Sequence, residues 1–98
     1  MPKVLDVDPC ELHVPTSRPT GADPYKLQRQ IAKFGSSADG MPALWVYESA
    51  DGELIIFNGV TRATRIAKLA PGTLVPVEII GDYPGPCTHL PKIGDLLP

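Results

Sequence analysis

The chain has 98 residues, of which 43% are apolar and 20% charged, with a formal net charge of −2 and a sequence pI near 5.5. One domain fits that length, and an acidic balance excludes a protein that grips nucleic acid with its whole surface, leaving a local basic patch for that role. No apolar run approaches the roughly 20 residues that cross a bilayer and no signal peptide is visible, so a cytoplasmic protein with no membrane partner is expected.

Twelve prolines and nine glycines imply short elements joined by many turns. Residues 1–22 hold four of the prolines, and short extended pieces are expected at 3–7 and 11–14, followed by a loop over 16–22. Asp23-Pro24 then opens a helix, with Asp23 at the N-cap and Pro24 at the first helical position. Leu27, Ile31 and Phe34 follow at i, i+4, i+7 as one apolar stripe. Gly35 is the expected stop, giving a helix over 24–34. Lys26, Arg29 and Lys33 lie roughly opposite that stripe, an arrangement that a plain solvated face also produces.

A loop over 35–41 leads to a strand at 43–48, rich in aromatic and β-branched residues. Ala50-Asp51-Gly52 signals a hairpin turn, and 53–57 is the returning strand. Its unbroken Leu54-Ile55-Ile56-Phe57 run predicts cover on both faces. Asn58-Gly59 ends it, and a helix follows over 60–69, with Ala63, Ile66, Ala67, Leu69 and Ala70 on its apolar side. The last strand, 73–80, contains Pro76, which predicts an edge position or a bulge. Residues 82–98 read as a Pro/Gly-rich tail packed by Tyr83, Leu90, Ile93, Leu96 and Leu97. The whole is a single α+β domain over 1–98, a small mixed sheet with two main helices and a core over about 4–81.

Cys10 and Cys87 are too few for a disulfide framework. Each stands near a histidine, His13 and His89, but the spacing departs from zinc-finger patterns. Two free thiols with two surface histidines, or one Cys10–Cys87 disulfide, both fit, and no metal site is assigned.

The segment that carries chemistry is Asn58-Gly59-Val60-Thr61-Arg62-Ala63-Thr64-Arg65, at a strand-to-helix junction. Gly59 lets the backbone approach a ligand or take a positive φ. The helix that follows presents unpaired N–H groups and the positive end of its dipole, which suit a phosphate. Arg62 in the first turn opposes that dipole and needs an anion near it. A bound phosphate would serve, and so would an internal carboxylate from Asp6, Asp8, Asp23 or Glu78. Arg65 is its neighbour three residues on, and Lys26, in the first turn of the earlier helix, can reach the same place.

These residues, with Met41-Pro42-Ala43-Leu44-Trp45-Val46 before the hairpin and Val75-Pro76-Val77-Glu78-Ile79 after the second helix, resemble the ParB N-terminal-domain/sulfiredoxin superfamily over roughly residues 4–81. Members carry a Gly-Glu-Arg-Arg or Gly-Cys-His-Arg motif at the strand-to-helix turn. Gly59 takes the place of the motif glycine and Arg62 that of its last arginine. Val60 stands where sulfiredoxins have the catalytic Cys, so sulfinic-acid reductase activity is not expected. It also stands where ParB-like domains have Glu. Thr61 replaces their Arg or His. Asp23-Pro24-Tyr25-Lys26-Leu27-Gln28 resembles the sulfiredoxin helix whose lysine contacts nucleotide, which carries Lys26 over.

The resemblance implies a bacterial, stand-alone ParB-like domain without the DNA-binding helix-turn-helix of chromosome-partitioning proteins. Its ligand would be a nucleotide or other phosphate-bearing molecule held by Gly59, Thr61, Arg62, Arg65 and Lys26, for example a nucleoside triphosphate with Mg²⁺. It would work with nucleic-acid machinery, and nucleic acid or a protein is a further expected partner. Two other functions fit the same residues. One is a ParB-like nuclease or phosphoryl-transfer enzyme, associated with toxins. Arg62, Arg65 and Lys26 would clamp phosphate there, but Asp39 and Asp82 form no carboxylate pair at a motif spacing, and no catalytic residue is assigned. The other is a protein-interaction domain with a vestigial pocket, which would bind through its tail and the loop 36–40.

Overall fold

Alternating burial along two strands sets the faces of the sheet. In β2 (Leu44–Ser49), Leu44 and Val46 are fully buried while Trp45 between them is half-exposed; in β4 (Val75–Tyr83), Val75 and Val77 are buried. The computed structural model describes residues 3–15, 21–38 and 40–97. Asp39, considered above as a loop carboxylate, and most of the loop 16–22 lie outside the described residues.

The four strands run β1 (Lys3–Val7), β4, β2, β3 (Leu54–Asn58) across one mixed sheet. β1 pairs antiparallel with β4, β4 parallel with β2, and β2 antiparallel with β3. α2 (Val60–Leu69) lays Ala63, Ile66 and Ala67 in one buried cluster with Leu44, Val46, Ile56, Val75 and Val77. α1 (Pro24–Phe34) packs against α2. The α+β reading, with a small mixed sheet and two helices, describes this architecture.

Local signals set the helices. Asp23 Oδ1 accepts the N–H groups of Tyr25 at 2.8 Å and Lys26 at 3.4 Å, so the Asp-Pro pair caps α1 as its chemistry dictates. Gly35 ends it, its N–H bonded to the Ile31 carbonyl at 2.8 Å. The apolar stripe fades toward that end: Leu27 is buried, but Phe34 is 45% exposed. The Phe34 ring instead lies 5.2 Å from the Arg65 guanidinium carbon, so its face is spent on a cation.

Three sequence expectations are corrected. β4 is a central strand rather than an edge, and Pro76 is tolerated because β2 joins only at Val77, so β4 has β1 alone beside it at that point. The register slips further on, between Val46 and Tyr47 of β2. The expected extended piece at 11–14 starts late, because residues Pro9–Glu11 form a 3-10 turn capped by Asp8, which accepts the Cys10 N–H at 2.9 Å. His13, expected at the surface, is 2% exposed. Its Nδ1 donates to the Leu90 carbonyl at 2.9 Å, and Nε2 faces Glu53 Oε1 at 3.4 Å.

His13 also joins the backbone of both chain halves. Its N–H bonds to Leu54 O at 3.0 Å and its carbonyl accepts from Ile56 N at 2.9 Å, covering the outer edge of β3. Val14 N–H bonds to Pro91 O and Ile93 N–H to Leu12 O, at 2.9 and 2.8 Å. The tail is therefore part of the fold. Ile93 enters the main core, while Cys87 and Leu90 cover Ile55 on the opposite face of the sheet. Ile55 and Ile56 are thus buried on opposite faces, as the unbroken run predicts, but Phe57 is 55% exposed.

Asp51 fastens the tail to the hairpin. Oδ1 accepts from the Ser49 hydroxyl and from Glu53 N–H, and Oδ2 from the N–H groups of Cys87 and Thr88 at 3.1 and 3.2 Å. These bonds, that from the Ser49 hydroxyl above all, hold the Asp51 carboxyl down at about 2.

Candidate functional site

β3 ends at Asn58 and α2 begins at Val60, so Gly59 alone makes the turn. Its φ is +106°, in the region that side chains disfavour, and a Cβ there would stand 2.5 Å from Leu44 Cδ2 and 2.9 Å from Arg62 Nη2. Backbone and space both demand glycine. The first intrahelical bond is Ala63 N–H to Gly59 O at 2.9 Å. Val60, Thr61 and Arg62 therefore keep N–H groups with no helical acceptor. No side chain caps this end and no acidic residue lies in the first turn, so nothing on the helix itself offsets the positive end of its dipole.

A cleft of about 560 Å³ opens at this turn, lined among others by Lys26, Gln30, Phe57, Gly59, Thr61 and Arg62. A second cleft of about 300 Å³ adjoins it, lined by Lys26, Arg29, Gln30, Lys33 and Thr61. Lys26, Gln30 and Thr61 belong to both, and no carboxylate among the described residues lines either.

Arg62 is half-buried and donates from Nη1 to the Pro42 carbonyl at 3.2 Å. The ion pairs among the described residues are Lys92–Glu11 at 2.7 Å and the His13–Glu53 contact at 3.4 Å. Arg62 thus pairs with none of Asp6, Asp8, Asp23 or Glu78, the internal partners considered from the sequence.

Arg65 points elsewhere. It is 2% exposed, and its Nη1 donates to the carbonyls of Gly35 and Ser37, each at 2.7 Å. Burial lowers its pKa from the usual guanidinium value. Arg65 ties the end of α1 to α2 and lines, with Arg62, a smaller cavity of about 130 Å³. Of the five residues singled out in the sequence, Lys26, Gly59, Thr61 and Arg62 share one cleft and Arg65 does not line it.

Both cysteines are free thiols. Burial raises the pKa of Cys87, whose Sγ donates to the Ser49 hydroxyl at 3.3 Å, and burial together with Asp8 raises that of Cys10. Neither environment favours a reactive thiolate. Among the described residues no group of three or more His, Cys, Asp and Glu side chains could hold a metal ion, and none of their helices is long and apolar enough to cross a membrane.

Two cleft residues escape the sequence reading. Gln30 lies one turn beyond Lys26 at i+4, a spacing that puts both on one helix face, and that was the available signal. Its Oε1 is buried with no hydrogen-bond partner among the described residues. Phe57 sits inside an apolar run that reads as core, and only its exposure identifies it as a wall of the cleft. Comparisons with protein-family models, curated proteins and solved structures return no match.

Proposed function

We propose that the cleft at Gly59 binds a phosphate-bearing ligand, a nucleotide above other candidates, and that the domain acts as a binding module of nucleic-acid machinery. The observation that carries this reading is Arg62, a cation in the first turn of α2 with no carboxylate partner among the described residues, beside a helix end that lacks a cap. An anion there would accept from the free N–H groups, the Thr61 hydroxyl and the Arg62 guanidinium, with Lys26 across the cleft. Gln30 also lines the cleft, and its Oε1 finds no hydrogen-bond partner among the described residues. The resemblance to ParB-like domains, with Gly59 and Arg62 at the motif's first and last positions, supports the same reading.

Among the described residues no carboxylate or histidine lines the cleft, so they do not fit a metal held by the protein there. The same donor set supplies no general base, so binding is favoured over the phosphoryl-transfer reading. The interaction-domain reading is weakened for the tail, since Cys87, Leu90 and Ile93 are buried in the fold.

The test is a thermal-shift screen of wild type and Arg62→Ala with ATP, CTP, GTP, inorganic phosphate and single-stranded DNA, each with and without Mg²⁺. Ligand at 100 times its Kd stabilises by about 2.7 kcal/mol. Loss of the Arg62 contact should weaken binding by about 1.5–3 kcal/mol. A shift in wild type that shrinks accordingly in the variant is expected. No shift with any ligand, together with a variant that melts early, would overturn the proposal and make Arg62 structural.

A further inference from the structure

The trough beside the Gly59 turn is longer than one phosphate needs. Lys26, Arg29 and Lys33 stand along α1, whose eleven residues include no Asp or Glu. An ordinary solvated helix face mixes both signs. None of the three forms an ion pair among the described residues. They line the second cleft, which meets the first at Lys26, Gln30 and Thr61. Among the described residues four cations, counting Arg62, therefore line one continuous trough with no carboxylate along it, on a chain whose net charge is −2.

We propose that this trough holds a single-stranded nucleic acid. One backbone phosphate lies at Thr61 and Arg62, and the following phosphates run past Lys26, Arg29 and Lys33. At 1.5 Å of rise per residue, Lys26 to Lys33 spans about 10.5 Å, longer than a single phosphate group. Beside the trough stands Tyr25, 69% exposed, with its ring centre 5.9 Å from the guanidinium carbon of Arg29, which lines the second cleft. Unpaired bases stack on such rings; bases in a duplex have no free face to offer. The inference rests on the phosphate reading of the Gly59 cleft and extends it to a polymer.

The test measures fluorescence anisotropy of a labelled ten-nucleotide oligothymidylate, and of its RNA counterpart, on wild type and on Arg29→Gln/Lys33→Gln. Binding of inorganic phosphate is followed in parallel by thermal shift. Both substitutions lie on the exposed face of α1, and retained phosphate binding certifies the fold of the variant. With four phosphates neutralised, wild-type affinity for the strand should fall about 50-fold between 50 and 200 mM salt; with two, the variant's should fall only about 7-fold. An equal salt dependence in the two proteins would overturn the proposal, as would equal binding of a duplex of the same length. Phosphate bound without strand binding would overturn it alone. Failure of both ligands would remove the phosphate reading as well.

Discussion

Gly59→Ala puts the turn that makes the cleft under direct strain. Alanine held at a φ of +106° costs about 1–2 kcal/mol in backbone energy. Its Cβ would meet Leu44 Cδ2 at 2.5 Å, and Leu44 is fully buried in the core, so the overlap costs a further 1–3 kcal/mol or so. The Arg62 Nη2 contact at 2.9 Å involves the far end of a flexible side chain. It relieves itself cheaply, but by moving the guanidinium. The total is about 2–5 kcal/mol, a large part of the roughly 5–15 kcal/mol that holds such a domain together. Thermal melts should fall by at least about 8 °C. Gly72→Ala is the control, because Gly72 has a φ of +88° and open space where its Cβ would go. It should lose only the backbone part, about 1–2 kcal/mol. The difference, about 1–3 kcal/mol, belongs to Leu44, and Leu44→Val should recover part of it in a double-mutant cycle. Equal losses at the two glycines, with no coupling to Leu44, would refute the close approach.

Two further outcomes follow from the hydrogen bonds. The Asp51 carboxyl titrates at about 2 in the folded protein, below its value near 3.9 in an unfolded chain. Its stabilisation is therefore complete above about pH 4 and is lost as pH falls toward 2. Hydrogen exchange at the Cys87 and Thr88 amides should accelerate across that window relative to intrinsic rates, and Asp51→Asn should show the faster exchange already at neutral pH; protection unchanged in Asp51→Asn would refute the tether. Arg65→Met keeps the aliphatic stem and removes two carbonyl bonds, so urea unfolding should show a loss of about 2–4 kcal/mol. Calorimetry should find phosphate affinity unchanged. Unchanged stability with weakened phosphate binding would instead make Arg65 a ligand residue.

How much was legible follows the range of the interactions. Both helices could be read because their ends are local: Asp23 bonds to residues two and three ahead, and Gly59 needs only its own φ. The position of Pro76 in a central strand could not be read, since it depends on where β2 begins to pair. His13 was expected at the surface because its partners, Leu90 and Glu53, lie 77 and 40 residues away. The cleft divides in the same way. The Gly59–Arg62 turn and the Lys26–Gln30 pair are local patterns. Whether a carboxylate reaches Arg62 is a tertiary fact, and so is the route of Arg65 to the end of α1. Three residues apart on one helix, Arg62 and Arg65 look alike in the sequence. Their side chains go to different neighbours.

The ladder between residues 12–14 and 91–93 has a consequence for how this chain is made. His13 covers the outer edge of β3 and meets a segment 77 residues later in the sequence. While the chain is being synthesised, the apolar surface awaiting Ile93, Leu90 and Cys87 stays uncovered until residues near 90 have emerged. Folding to the native state is thus a late event, governed by a long-range closure rather than by helices that can form early. A nascent or clipped chain lacking that last segment would expose Ile55 on one face of the sheet and the part of the main core that Ile93 covers on the other, the kind of surface that chaperones bind and that aggregates first.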